Sequence, residues 1–152
     1  MKFISRDFSD LVFRILFCLI FIALGGEHLF NDNLLQRLMP GWVPAPRLAS
    51  IMCGLVLLSG GGLIALGYQL RFAALMLGAF LIIVTTVVHG PALFSTPEFI
   101  EAESEWLWLI LQRSNYVKNI CLLGICLLLT NYTPGRWSLE NRLNRRGIGR
   151  RK

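Results

Sequence analysis

Apolar residues gather along the chain in four blocks, about 11–30, 48–66, 72–88 and 116–132, divided by polar or proline-rich stretches. A helix crossing a bilayer needs roughly 20 residues, range about 17–25, at about 1.5 Å rise per residue. The first three blocks fit directly. The last is the shortest and fits if Asn115 and Thr133 lie in the headgroup zone. An isolated segment in lipid must satisfy its own backbone hydrogen bonds, so each block is expected to be helical. The first is not expected to be a cleaved leader: Arg14 interrupts its start, it is too long, and no small-x-small site closes it.

The connections refine this pattern. Residues 31–47 carry Met39-Pro40-Gly41-Trp42-Val43-Pro44-Ala45-Pro46, whose prolines oppose a regular helix and suggest a stiff, packed loop. Only Gly67 to Arg71 separates blocks two and three, which predicts a tight helical hairpin. The stretch 90–114 is long. Thr96-Pro97-Glu98 reads as an N-cap, a first-turn proline and an early acid. Phe99, Ile100, Trp106, Leu107 and Ile110 then recur at helical spacing, predicting an interfacial amphipathic helix over about 97–111. The expected fold is an all-α membrane protein: one domain over 1–152, a four-transmembrane-helix bundle with this extra outer helix between spans three and four.

Composition agrees with a lipid environment. The 152 residues are 55% hydrophobic and 16% charged, against about 25% charged in soluble domains. The tail, 134–152, holds seven cations and one glutamate and so carries the whole net charge of +6. Without a nucleic-acid reading module, a basic run beside a span indicates a cytoplasmic end or anionic lipid headgroups; no nucleic-acid partner is expected. Lys2, Arg6, Arg14, Arg71 and the tail would share one side; Arg37, Arg47, Arg113 and Lys118, diluted by four glutamates, would share the other. The expected location is the cytoplasmic (inner) membrane, multi-pass, with both termini cytoplasmic.

Polar residues inside spans usually face the bundle interior. Arg14, Cys18, Phe21, Gly25 and His28 share one stripe, as do Arg71, Ala74, Gly78, Ile82, Thr85 and His89. Asn115, Asn119, Leu122, Cys126 and Thr133 form another. The two histidines close the outer ends of their spans, with Glu27 beside His28. Glu27, His28, His89 and Asn119 are therefore the candidate site, where a headgroup could exchange protons. The bland alternative is hydrogen bonding between helices. Two imidazoles and one acid make too thin a set for a metal site, so none is expected. Cys18, Cys53, Cys121 and Cys126 lie in apolar runs without metal spacing and are expected to be free, small hydrophobes. Gly60-Gly61-Gly62 lacks the Lys-Ser/Thr of a phosphate loop and suggests close packing or a kink. Asn131-Tyr132-Thr133 matches a glycosylation sequon only by chance, at the cytoplasmic end of a span.

Pro134-Gly135-Arg136-Trp137-Ser138-Leu139-Glu140 resembles the closing G-R-aromatic-S-L-D signature of the DoxX family, with glutamate in place of aspartate. Gly25-Gly26-Glu27-His28-Leu29-Phe30, Met39-Pro40 with Pro44 and Pro46, and Tyr116-Val117-Lys118-Asn119-Ile120 with Leu123-Gly124 are similar to other parts of that family. The resemblance runs from about Val12 to Glu140 and implies a four-helix bundle. It also implies functions as different as a quinone-facing oxidoreductase subunit, a companion of redox-stress enzymes and a membrane chaperone, so it leaves open whether the chain is an enzyme. The leading expectation is a membrane subunit of a redox system, binding a quinone-like lipid at Glu27, His28, His89 and Asn119. It has no covalently bound cofactor, so a redox partner protein must supply electrons. The alternative is a non-enzymatic scaffold, chaperone or assembly factor with client proteins; a small-solute channel ranks third. Contact with membrane lipid is implied throughout, and self-association is left open.

Overall fold

The computed structural model describes residues 4–39 and 41–149, with side chains described as far as Arg146. All regular structure among them is helical. Helix α1 (Arg6–Phe30) starts at Ser5, whose hydroxyl accepts the Phe8 N–H. A short α2 (Asn33–Leu38) follows, then α3 (Pro46–Leu66), with Pro46 in its first turn, where a missing N–H costs nothing. Helix α3 stops at Gly67 in the left-handed region (φ 62°), and Tyr68 N–H closes back on the Leu63 carbonyl. Helix α4 (Leu70–Val84) passes into a π-helical turn, Thr85–His89, and one last turn, α5 (Gly90–Ala92). A 3₁₀ turn (Ala102–Ser104) leads into α6 (Glu105–Leu129), and α7 (Leu139–Gly149) ends the described chain.

Packing runs in the order α1, α3, α4, α6, each helix mainly against the next. Phe17, Phe21, Leu57, Ile64, Leu77, Leu81, Cys126 and Leu129 form the core between them. Glycine sets the closest approach. A Cβ on Gly54 would lie 3.0 Å from the Gly25 carbonyl oxygen, and one on Gly25 would lie 3.1 Å from that of Gly54. The glycine triplet divides its duties: Gly60 receives Leu77 of α4, while Gly61 faces Phe21 and Ile22 of α1. Close packing explains it.

The molecule inverts the polarity of a soluble bundle. Leu16, Leu19, Ile83, Leu127 and Leu128 are exposed on the helix surfaces, whereas Asp10, Arg14, Ser50, Gln112 and Asn119 are buried. Three helical segments, Arg6–Phe30, Pro46–Leu66 and Leu70–Ala92, are long and apolar enough to cross a membrane. Helix α6 has the length but carries Glu105, Arg113 and Lys118 in its first fourteen residues.

Several expectations change. The helix expected over 97–111 does not exist as a separate element: residues 97–101 form no helix, and α6 runs unbroken from Glu105 through the boundary expected near Ser114. Gln112-Arg113-Ser114-Asn115 contains neither proline nor glycine, so nothing interrupts the hydrogen-bond ladder there. The Thr96-Pro97 pair instead packs back on the helix start, with Thr96 Oγ1 donating to Glu105 Oε1 and Trp108 Nε1 to the Ser95 carbonyl. The proline loop holds a short helix ahead of its prolines. Its described residues Gly41, Trp42, Pro44 and Pro46 are exposed, so it is less packed than expected. The stripe in span three passes through buried Leu81, not the exposed Ile82. Arg71 and Thr133 are also exposed.

Candidate functional site

The candidate residues separate into two pairs on two interfaces. His28, in the last turn of α1, meets Ser50 of α3: Nδ1 lies 3.0 Å from Ser50 Oγ, which donates its single proton to the His28 carbonyl at 3.1 Å. A serine hydroxyl has one hydrogen. With that hydrogen on the carbonyl, Oγ accepts from Nδ1–H, and the lone pair of His28 remains on Nε2. Ser50 is fully buried, so this bond is shielded from water.

His89 closes the π-helical turn, 2.7 Å from Gln112 Oε1 through Nδ1. An amide oxygen only accepts, so Nδ1 again carries the proton and Nε2 again presents the lone pair. Pro91 lacks an N–H and its ring opposes the carbonyl four residues back, a local reason for the helix to widen just before it. The Gly90 N–H accordingly bonds the Thr85 carbonyl. Single π turns of this kind often mark functional sites.

Asn119 is buried on α6, two turns beyond Gln112. His89–Gln112 at one end and the approach of Gly78 to Cys126 at the other fix an antiparallel α4–α6 register. That register puts Asn119 level with the buried Thr85. Glu27 is exposed and takes no part in the His28–Ser50 hydrogen bonds. Among the described contacts, none joins the His28–Ser50 pair to the His89–Gln112 pair.

Sequence reasoning missed Ser50 and Gln112. Gln112 could have been found: it lies one heptad before Asn119 and two before Cys126, on the stripe already recognised. Ser50 offered no such signal. In the first turn of α3, Arg47 Nη1 sits 2.6 Å from Asp32 Oδ2, and Arg47 Nη2 donates to the Leu29 carbonyl. The Arg47 guanidinium holds the Asp32 carboxyl below the usual carboxylate range despite the opposing effect of burial, with Gln36 assisting.

At the opposite end lies a polar cluster that no expectation described. Arg14 is fully buried. Its Nε donates to Asp10 Oδ2 at 3.1 Å, Nη1 to the Ala65 carbonyl and Nη2 to the Trp137 carbonyl. Asp7 accepts the Arg136 N–H, and Asn141 Nδ2 donates to the carbonyls of Pro134 and Gly135. A Cβ on Gly67 would lie 2.7 Å from Ser138 Cβ, so glycine alone lets the turn after α3 meet this segment. All four cysteines are free; Cys18 and Cys126 are buried as expected, Cys53 is half-buried and Cys121 is exposed. Among the described residues, no three of His, Cys, Asp and Glu gather as a metal site.

A family model described as DoxX matches residues 9–90, a range that contains both histidines and Ser50 but not Gln112 or Asn119. No curated protein and no solved structure matches the chain.

Proposed function

This chain belongs to the DoxX family, and from that premise we propose that it is a quinone-interacting membrane subunit of a redox system, in which His89 receives the headgroup. The observation that carries the proposal is the 2.7 Å contact of His89 Nδ1 with Gln112 Oε1, which favours the ring form protonated on Nδ1. Gln112 Oε1 occupies Nδ1–H, so Nε2 of His89 is a hydrogen-bond acceptor within the α4–α6 interface. A hydroquinone hydroxyl is the matching donor. Buried Asn119 supplies an amide donor suited to a quinone carbonyl on the same helix. His28, locked the same way by Ser50, provides a second acceptor on the α1–α3 interface. Exposed Glu27 contributes charge at the surface rather than a contact within either pair. The residues bind and orient the headgroup; a partner protein supplies the electrons.

The proposal includes four crossings and cytoplasmic termini in the cell membrane. The 25 residues of α6 reach about 37 Å at about 1.5 Å each, enough for a hydrocarbon core of about 30 Å. Gln112 and Asn119 are turned inward, which lessens the cost of its polar half.

The test is hydroquinone affinity in nanodiscs. A short-tailed hydroquinone should bind wild-type protein saturably, and His89→Ala should weaken it by about 5- to 150-fold, the loss of a contact worth about 1–3 kcal/mol. Folding should survive, because such hydrogen bonds within membranes average about 0.6 kcal/mol. Unchanged affinity with lowered stability would make the histidines structural. The alternative, a scaffold or assembly factor, is favoured by one observation. An apolar groove of about 560 Å³ opens between α1 and α6, lined by Phe8, Val12, Phe13, Leu16 and Ile125, where a client helix could lie. Specific membrane proteins cross-linked at Val12 would favour that function.

A further inference from the structure

The opposite end of the bundle holds a cavity of about 470 Å³ between the end of α3 and the start of α7. Ala65, Leu66 and Leu139 form an apolar wall; Arg136, Trp137, Ser138 and Arg142 supply the remainder. We infer that this cavity binds the phosphate of an anionic phospholipid, with Arg136 and Arg142 as its cationic arms.

The site is built rather than incidental. Its backbone is tied from several directions: Asp7 holds the Arg136 N–H, Arg14 holds the Trp137 carbonyl, and the Glu140 N–H bonds the Gly67 carbonyl. Ser138 is fully buried beneath it and accepts the Asn141 N–H, capping α7. A segment so fixed holds the arginine backbones in place, while the side chains remain at the surface. The Arg136 side chain is 75% exposed and reaches Asp7 only at 3.9 Å. Arg142 is exposed and has no ion pair among the described residues.

Position and charge select the ligand. The cavity opens where α3 ends, beside exposed Leu66 and half-exposed Trp137, the depth at which aromatic residues meet headgroups. Leu66 offers a surface for an acyl chain. Two guanidiniums can take phosphate oxygens in bidentate fashion. No carboxylate lines the cavity to hold the cation of a zwitterionic headgroup, and nearby Glu140 accepts the Gln69 N–H. The inference concerns the end away from the histidine pairs and is independent of quinone binding.

The experiment is native mass spectrometry of the full chain in detergent, titrated with phosphatidylglycerol, phosphatidylcholine or inorganic phosphate. Phosphatidylglycerol should be retained in preference to phosphatidylcholine, and millimolar inorganic phosphate should not displace it. One basic residue near an anionic surface contributes about fivefold, so Arg136→Gln with Arg142→Gln should weaken phosphatidylglycerol by roughly thirtyfold. Arg145→Gln with Arg146→Gln removes the same charge from α7 outside the cavity and should change affinity far less. Thermal melting of each variant identifies any loss of fold, and the wild-type lipid preference is decisive where a variant does not fold. Equal retention of both lipids, displacement by inorganic phosphate, or equal weakening in both double variants would each overturn the inference.

Discussion

Arg14 is held by a carboxylate and two backbone carbonyls, one of them 123 residues away in sequence. Its partner Asp10 is buried too, and Asp10 Oδ1 has no donor among the described residues. Breaking a buried pair by removing one member leaves an uncompensated charge, at a cost of about 3–5 kcal/mol. Arg14→Ala should therefore destabilise the protein by about that amount in chemical unfolding, and Arg14→Ala with Asp10→Ala by less than the single change. An unaffected single variant would show that the cluster holds nothing together. Asp32 gives a pH-dependent counterpart. Its folded-state pKa is depressed below the ordinary 3.8 by Arg47. The stabilisation is thus fully present above the ordinary value and disappears as pH falls through the lower, folded one. Stability curves of wild-type protein and Asp32→Asn should run apart at neutral pH and converge below about pH 4; curves that stay parallel in acid would contradict the ion pair.

Between elements, glycine at the α1–α3 contact controls how near the two backbones come. A Cβ at residue 54 would meet backbone, which cannot move aside as a side-chain tip can. Gly54→Ala should cost about 1–3 kcal/mol as an overpacked site. Gly124→Ala, with nothing within 4 Å of its added Cβ, should be neutral or stabilising by up to about 1 kcal/mol. Equal melting temperatures for the two variants would refute this account of the interface. Much at this scale was legible in the sequence. The glycine triplet, the hairpin at Gly67 and the buried stripe through Arg14, Cys18, Phe21 and Gly25 all follow from local spacing. The continuity of α6 did not, because its inward-facing Gln112 looks like a helix boundary when neighbouring helices are unknown. Nor did the bonds His28–Ser50, His89–Gln112 and Arg14–Trp137, which join residues 22, 23 and 123 positions apart. Helical periodicity tells which face is buried; it carries no information on which side chain of another helix waits there.

The whole molecule is a DoxX-family multi-pass membrane protein with polar groups at both ends of an apolar bundle. One end locks the Pro134–Glu140 segment to the first helix through Arg14; the other holds two imidazoles, each hydrogen-bonded through Nδ1 to a buried side chain of another helix. Single cysteines in the Pro44 loop and near Glu101, in an otherwise cysteine-free chain, should react with an impermeant reagent from outside the cell. One near Arg145 should not, and labelling there would reverse the proposed orientation. The central claim is that His89 offers an unprotonated Nε2 to a hydroxyl-bearing headgroup. Nitrogen-15 NMR of histidine-labelled protein in bilayers tests it most directly, with His28→Ala assigning the two rings. The predicted spectrum has a protonated Nδ1 and a bare Nε2 at His89 near neutral pH, and added hydroquinone shifts that Nε2 resonance. A protonated Nε2 in the free protein, or an Nε2 resonance that hydroquinone leaves unmoved, would contradict the account.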